Sequence, residues 1–436
     1  FFSSRRRHTR CLSDWSSDVC SSDLEQNLAP DDQLARTRRR FVDLNLWSIP
    51  VKPSFRNDIQ GMRAIAVLYT VFFHFGVARW STGVDIFMVI SGFAITRVLL
   101  RSRLERGSVL FDLKGFYARR VRRILPVSTL VLVVTVFAAY YWLGPLGGAS
   151  EVGIDAMWSA IFLENWHAIA LSTDYFADSQ TASLVLHYWS LGFDEQFYVV
   201  YPLVLIGIMS WAPAHLRRRI LAIVLAVVAI ASIAWAMWQT PRDPFVAYLS
   251  TYTRIWEILF GALLALLPEE RAFKSEFLNA VIGWVSLIVI LVSGYLIYDQ
   301  GVPWPNAIWT VLASCGLIWT GRRSGPYGPN MLLMLKPVVY IGNMSYSLYL
   351  WNYIWLYLPL RFALPGTEMA SQSVALRLTQ VGAGFLCAVA SYHLVEWPLR
   401  ESSLLERKQW INIPIGIFLI GIVIVVAKAC EAYWPI

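Results

Sequence analysis

The sequence predicts an all-α, polytopic integral membrane protein with about eleven transmembrane helices, a ten-helix core plus one further C-terminal span. Three observations carry that prediction. Of the 436 residues, 57% are hydrophobic and 15% charged, where a soluble domain carries roughly 25% charged residues. Mean hydropathy is +0.51, and the apolar residues gather into runs near the roughly 20 that a helix needs to cross hydrocarbon. The net charge of +8 is mostly arginine, set in short clusters between those runs. Basic clusters so placed orient a membrane protein and imply no nucleic-acid partner.

Residues 1–24, with Cys11, Cys20 and the RRRHTR run, lack the apolar stretch of a signal peptide and resemble the translation of sequencing-adapter read-through, so they are set aside as an assembly artefact. Residues 25–54 read as a polar tail whose Arg36–Arg40 cluster places the N-terminus in the cytoplasm. Spans then follow at Ile59–Val77, Val84–Leu100, Ile124–Leu143, Tyr188–Trp211, Ile220–Trp238, Arg254–Leu267, Phe277–Tyr298, Ala307–Thr320, Val338–Leu358, Ala375–Leu394 and Ile411–Ala429. The core covers residues 55–401, and 402–436 is a linker with the extra helix. The apolar piece Ile154–Ala170 contains Asp155, Glu164, Asn165 and His167 and reads as an outer-face or re-entrant helix. Leaving it out of the count puts every later arginine-rich loop on the cytoplasmic side and the C-terminus outside.

The hairpin from Phe55 to Phe93 carries Arg63, His74, Asp85 and Ser91. Ionisable groups at such depth are costly unless they face the protein interior or a wet cavity. Arg63 and His74 fall on one helix face roughly 16 Å apart, which suits a long ligand held by a cation at one end and an imidazole at the other. A second cluster is HYWSLGFDEQFY, His187–Tyr198. There His187, Ser190 and Asp194 share a helical face, Glu195 lies about 100° round, and Trp189 stands beside them. A carboxylate near an imidazole sets its tautomer and suits general-base chemistry on a hydroxyl; an interfacial polar belt is the plainer alternative.

Arg119, Arg120, Arg122 and Arg123 in FYARRVRR have the chemistry to hold phosphates bidentately, or serve only to orient the span that follows. Arg254 and Glu257 are spaced to pair across one turn. Glu396, before Trp397-Pro398, and the run Ser345–Asn352 with Tyr346 and Tyr349 read either as a cavity wall or as interhelical hydrogen bonding. GxxxxGK[ST], HExxH, GxSxG and metal-ligand spacings are missing, which argues against nucleotide hydrolysis and against a metal centre. Five cysteines without CxxC spacing suggest no disulfide framework.

Taken together these pieces resemble the acyltransferase 3 family, multi-span bacterial membrane O-acyltransferases that modify surface polysaccharides. The matching segments are Arg63 with His74, GVDIFMVISGF, FYARRVRRILP, HYWSLGFDEQFYVVYP, Arg254–Gly261, YIGNMSYSLYLWN and SYHLVEWPLRE, in the family's order from Phe55 to about Glu401. The resemblance implies transfer of an acyl group, usually acetyl, from cytoplasmic acyl-CoA to a sugar hydroxyl of a glycan or lipid-linked sugar across a bacterial plasma membrane, with no bound cofactor. Arg63 and the Arg119–Arg123 cluster would hold the nucleotide phosphates. His74 would act as general base, or carry the acyl group transiently, with Glu195 or Asp85 orienting its ring, while His187 and Ser190 shape the acceptor side.

Two departures stand out. The family commonly has His after SYSLYLW where this chain has Asn352, a side chain that hydrogen-bonds but takes no proton at neutral pH. Members with the extra span often continue into an SGNH-type hydrolase-like domain, whereas this sequence stops at Ile436. A fragment truncated at both ends, completed by a missing or partner domain, and a short complete member are the alternatives. A transporter or flippase of a glycolipid or small solute is the competing functional class; it favours discontinuous helices and inverted repeats, which the sequence does not display.

Overall fold

The computed structural model describes residues 56–76, 82–106, 113–144, 148–171, 183–213, 215–268, 274–296, 302–323, 325, 327–362 and 373–433. The adapter-like stretch, the 25–54 tail and residues 434–436 lie outside them. Among the described residues every regular element is helical. The first hairpin is α1 (Asn57–His74) and α2 (Thr82–Arg106), followed by the long α3 (Leu113–Trp142) and the short α4 (Ala149–Ala160) and α5 (Glu164–Leu171). Then come α6 (Tyr188–Trp211), α7 (Arg217–Gln239), α8 (Pro244–Leu249), α9 (Thr251–Leu266), α10 (Glu276–Leu296) and α11 (Ala307–Thr320). The last third holds α12 (Asn330–Leu333), α13 (Lys336–Asn343), α14 (Ser345–Tyr357), α15 (Val374–Ser391), α16 (Trp397–Arg400), α17 (Ser403–Arg407) and α18 (Asn412–Tyr433).

Eight helical stretches are long and apolar enough to cross a membrane. They coincide with eight of the expected spans, and the other three are helical but differ in kind. The polar residues Asp58, Gln60, Arg63 and His74 lower the hydropathy of α1, and Asp58, Gln60 and His74 are buried inside the protein. α11 is 14 residues long, short for a full crossing. The expected span Val338–Leu358 is broken at Met344 (φ −93°, ψ 7°) into α13 and α14. A second break, at the extended Ser250, separates α8 from α9, and the Ser250 hydroxyl accepts from the Tyr252 amide to cap the new helix. The expectation of a continuous span over Val338–Leu358 is therefore corrected at Met344.

The FYARRVRR arginines, which precede the expected span Ile124–Leu143, lie within the same helix, in the early turns of α3, where Phe116 and Ala118 are buried and draw the segment into the bundle. Successive residues on a helix point about 100° apart, so the four arginines are dealt to different neighbours.

Helix packing centres on α2 against α9, with α7 on the far side of α9 and α11 beside α2. Glycines bring the two central backbones together. A Cβ on Gly92 would stand 1.9 Å from the Ile258 carbonyl oxygen, and one on Gly261 would stand 2.0 Å from that of Val89. Lipid tails remove the hydrophobic drive between helices, so close backbone approach through small residues takes its place. α1 is gripped similarly by α13, where a Cβ on Gly342 would meet the Gln60 carbonyl at 1.9 Å. α18 lies along α3 and α4, with Gly416 against Val121 and Leu125. The short α4 and α5 turn at Phe162, whose φ of 61° is left-handed. Gln196 of α6 donates to the Phe162 carbonyl (3.0 Å) and to Asn165 Oδ1 (2.9 Å), while Thr251 donates to Gln196 Oε1 (2.9 Å). One amide thus ties α5, α6 and α9 together.

Gly261→Ala places a methyl against a backbone carbonyl that has no rotamer to yield, so a loss of about 1–3 kcal/mol is expected. It is measured as a lower thermal midpoint in detergent. Gly382, with nothing within 4 Å of its Cβ position, is the matched control, and Gly382→Ala should leave the midpoint unchanged or raised.

Candidate active site

The site residues fall into three groups. The first surrounds His74, the last residue of α1, which is 8% exposed. Its ring meets Tyr353 edge-on at 5.0 Å and Tyr357 edge-on at 5.8 Å. Asn352 Nδ2 lies 2.9 Å from His74 Nδ1, and both residues are buried. His187, on the other side, stacks on Tyr353 at 4.5 Å and 25°. Neither ring nitrogen of His187 has a hydrogen-bond partner although the side chain is buried. Tyr349 donates its hydroxyl to the His187 carbonyl (2.8 Å) and accepts from Ser190 (2.7 Å). The break at Met344 starts α14 close to this group, and residues 349, 353 and 357 recur every fourth position on one helix face.

The second group is a buried charge cluster between α2 and α9. Arg254 binds Asp85 through Nη2 and Glu257 through Nε at 2.9 Å, and its guanidinium lies 5.1 Å from the Trp189 ring and 5.0 Å from Tyr248. All three ionisable side chains are about 1% exposed or less. A lone charge there would be prohibitively costly, so the three stand or fall together.

The third group gathers around Arg63. Arg120 forms an ion pair with Glu195 at 2.5 Å and lies over the Tyr198 ring at 3.6 Å. Ser91 donates to Asp194 Oδ2 at 3.0 Å. One turn of π-helix, Tyr392–Glu396, carries Glu396 into the interior, where it accepts from Ser347 (2.6 Å) and faces Arg400 at 3.7 Å. Tyr346 donates to the Ile124 carbonyl at 2.8 Å. Arg63 makes no hydrogen bond or ion pair among the described residues; Arg123, Glu396 and Arg400 are its charged neighbours. Of the α3 arginines, Arg122 donates to the Ser402 carbonyl (3.3 Å), Arg119 is exposed, and the buried Nε of Arg123 has no partner. The expected phosphate cluster is thus sorted: Arg120 and Arg122 are committed within the protein, and Arg63 with Arg123 keep donors to spare.

One expectation fails in its geometry. Neither Asp85 nor Glu195 orients His74, because Arg254 holds the first and Arg120 the second; the imidazole is oriented by the amide of Asn352. Sequence reasoning also missed Tyr353 and Arg400. The four-residue tyrosine spacing on α14 was a usable signal for the first, whereas the approach of Arg400 depends on the π turn and left none. Among the described residues no group of three His, Cys, Asp or Glu side chains could hold a metal ion.

A polytopic helical membrane protein with a buried imidazole in an aromatic box and uncommitted arginines elsewhere in the same bundle has the parts of a membrane transferase. The chain belongs to the acyltransferase family whose model, described as an acyltransferase domain, matches residues 56–429. It is 29% identical over 395 residues to the peptidoglycan O-acetyltransferase OatA of Listeria monocytogenes, covering 85% of this chain and 61% of that protein. It is 27% identical to the putative peptidoglycan O-acetyltransferase YrhL of Bacillus subtilis (78% of this chain, 54% of the other). With the O-acetyltransferase OatA of Staphylococcus aureus it shares 28% identity (80% and 58%). The chain thus spans about three-fifths of the length of the curated relatives it matches. No solved structure matches it.

Arg254→Ala leaves two buried carboxylates without their cation, and a loss of about 3–5 kcal/mol is expected. The readout is thermal unfolding in detergent together with yield in the membrane. A wild-type midpoint for this variant would show that the cluster is not structural.

Proposed function

We propose that this protein is a membrane O-acetyltransferase that moves an acetyl group from acetyl-CoA to a hydroxyl of a cell-wall glycan. The observation that carries the reading is His74: a buried imidazole whose Nδ1 lies against the Asn352 amide and whose Nε2 has no hydrogen-bond partner among the described residues, inside a family of acyltransferases. The names of the relatives direct the acceptor toward peptidoglycan.

In this reading His74 Nε2 removes the proton from the acceptor hydroxyl as its oxygen attacks the thioester carbonyl. The C–S bond then breaks, and the departing CoA thiolate takes that proton, leaving ester and free thiol. Arg63 and Arg123 bind the donor's phosphates, with Arg400 adding positive charge. Ser190, Tyr349 and His187 line the acceptor side. Asp85, Arg254 and Glu257 hold α2 and α9 in register rather than touching the reacting atoms. Arg63 lies at the cytoplasmic side of a bacterial plasma membrane and His74 toward the exterior, with the N-terminus inside and the C-terminus outside. A domain supplied by a longer chain or a partner would complete delivery to the wall.

The test is transfer of labelled acetyl from acetyl-CoA to a glycan oligomer by protein in liposomes. His74→Ala should abolish transfer with insertion and thermal midpoint retained; retained transfer would overturn the reading, and solute uptake without acetyl-CoA consumption would establish a transporter instead. Arg63→Ala should raise KM for acetyl-CoA about 10–100-fold, the effect of losing one charge-assisted phosphate contact of about 1.5–3 kcal/mol, with kcat changed far less.

A further inference from the structure

The residue that holds His74 is an amide, and an amide can do what a carboxylate cannot. Asn352 presents Nδ2 to His74 Nδ1 at 2.9 Å. An NH2 group only donates, so in this arrangement Nδ1 accepts and the ring's proton sits on Nε2. That tautomer cannot take a proton from a hydroxyl at Nε2. Meanwhile Asn352 Oδ1 is buried and accepts no hydrogen bond, a state that leaves its desolvation uncompensated. A half-turn about the Cβ–Cγ bond would exchange the two ends of the amide. Oδ1 would then accept from Nδ1–H, its own deficit would be relieved, and Nε2 would carry the free lone pair that general-base chemistry needs.

Space and surroundings favour this exchange. The two amide ends are similar in size, so the half-turn needs no new volume. Gly384 of α15 lies beside the Asn352 backbone, its Cβ position 3.4 Å from the Asn352 Cα, so α14 and α15 pack closely there. The titratable and charged groups facing His74 are Tyr353 and Tyr357 of α14, His187 at the head of α6 across Tyr353, and Arg377 of α15, which donates to the carbonyl of the adjacent Phe75 at 2.8 Å. None of these is a carboxylate, so nothing else near the ring accepts from Nδ1 with a negative charge.

We infer that Asn352 is a positioning residue that sets the tautomer of His74, turning its amide so that Oδ1 receives Nδ1–H whenever Nε2 acts as base. It is not a catalytic residue, since it touches the imidazole and not the reacting atoms. The inference rests on the reading of His74 as general base.

The experiment is steady-state transfer from labelled acetyl-CoA by the full chain in liposomes, across pH, with His74→Ala, Asn352→Leu and Asn352→Asp. Asn352→Leu should lower kcat at least about tenfold, as loss of an orienting partner does, with KM for acetyl-CoA within about twofold and the thermal midpoint close to wild type. Asn352→Asp keeps an acceptor for Nδ1–H but adds a charge that favours imidazolium. Its alkaline-limit kcat should stay within about tenfold of wild type, while the acid limb of the profile moves up by about one pH unit or more. If Asn352→Leu does not fold, the nearly isosteric Asn352→Asp carries the test alone. Wild-type kcat in Asn352→Leu, or an unmoved acid limb in Asn352→Asp, overturns the inference while a dead His74→Ala leaves the function standing. An active His74→Ala overturns both.

Discussion

The buried charge cluster depends on how closely α2 and α9 approach. Gly92 and Gly261 let each backbone rest against the other's carbonyls, and that contact brings Asp85 of one helix to Arg254 of the other. The order of cause runs from sterics to electrostatics. A charge triad cannot pull two helices together through hydrocarbon at acceptable cost, but once small residues have removed the gap the same three groups satisfy one another and fix the register. Trp189 and Tyr248 then lie close to the guanidinium, which ties α6 and α8 to the pair. α6 in turn carries Ser190 to Tyr349 and Glu195 to Arg120. The His187–Tyr349 group and the arginine group are therefore mounted on the same frame.

The fold class was legible because hydrophobic runs and arginine placement are one-dimensional signals. Eight spans could be read from composition alone. What composition could not show was where a run bends. Nothing in Val338–Leu358 marks Met344 as a break until Gly342 is seen meeting the Gln60 carbonyl. Partly polar helices such as α1 are likewise stable only because the protein, not lipid, receives their polar groups.

For the site, the identities were legible and the partners were not. His74, Arg63, Asp85, Glu195, Arg254 and Asn352 all stood out as ionisable or amide groups in apolar surroundings. Sequence spacing relates residues on one helix, as it did for Arg254 and Glu257, but pairing across helices is decided by tertiary packing. Hence the two carboxylates assigned to His74 went to arginines, and the side chain set apart as a departure from the family pattern, Asn352, became the imidazole's partner. The arginines of α3 teach the same lesson: four close cations look like one patch in sequence, yet on the helix Arg120 goes to Glu195, Arg122 to the Ser402 carbonyl and Arg119 to the surface.

The π-helical turn at Tyr392–Glu396 has a consequence for how this chain can vary. A widened turn accommodates one residue more than an α-helical path of the same rise, so the segments before and after it are out of phase by about 100°. α15 faces α14 on one phase, and Glu396 with Arg400 faces Ser347 and Arg63 on the other. Loss of a single residue anywhere in that turn would restore a regular helix and swing both charges away together. Length, and not only identity, is therefore under constraint here, and a one-residue deletion is the harsher change than any single substitution in the same five positions.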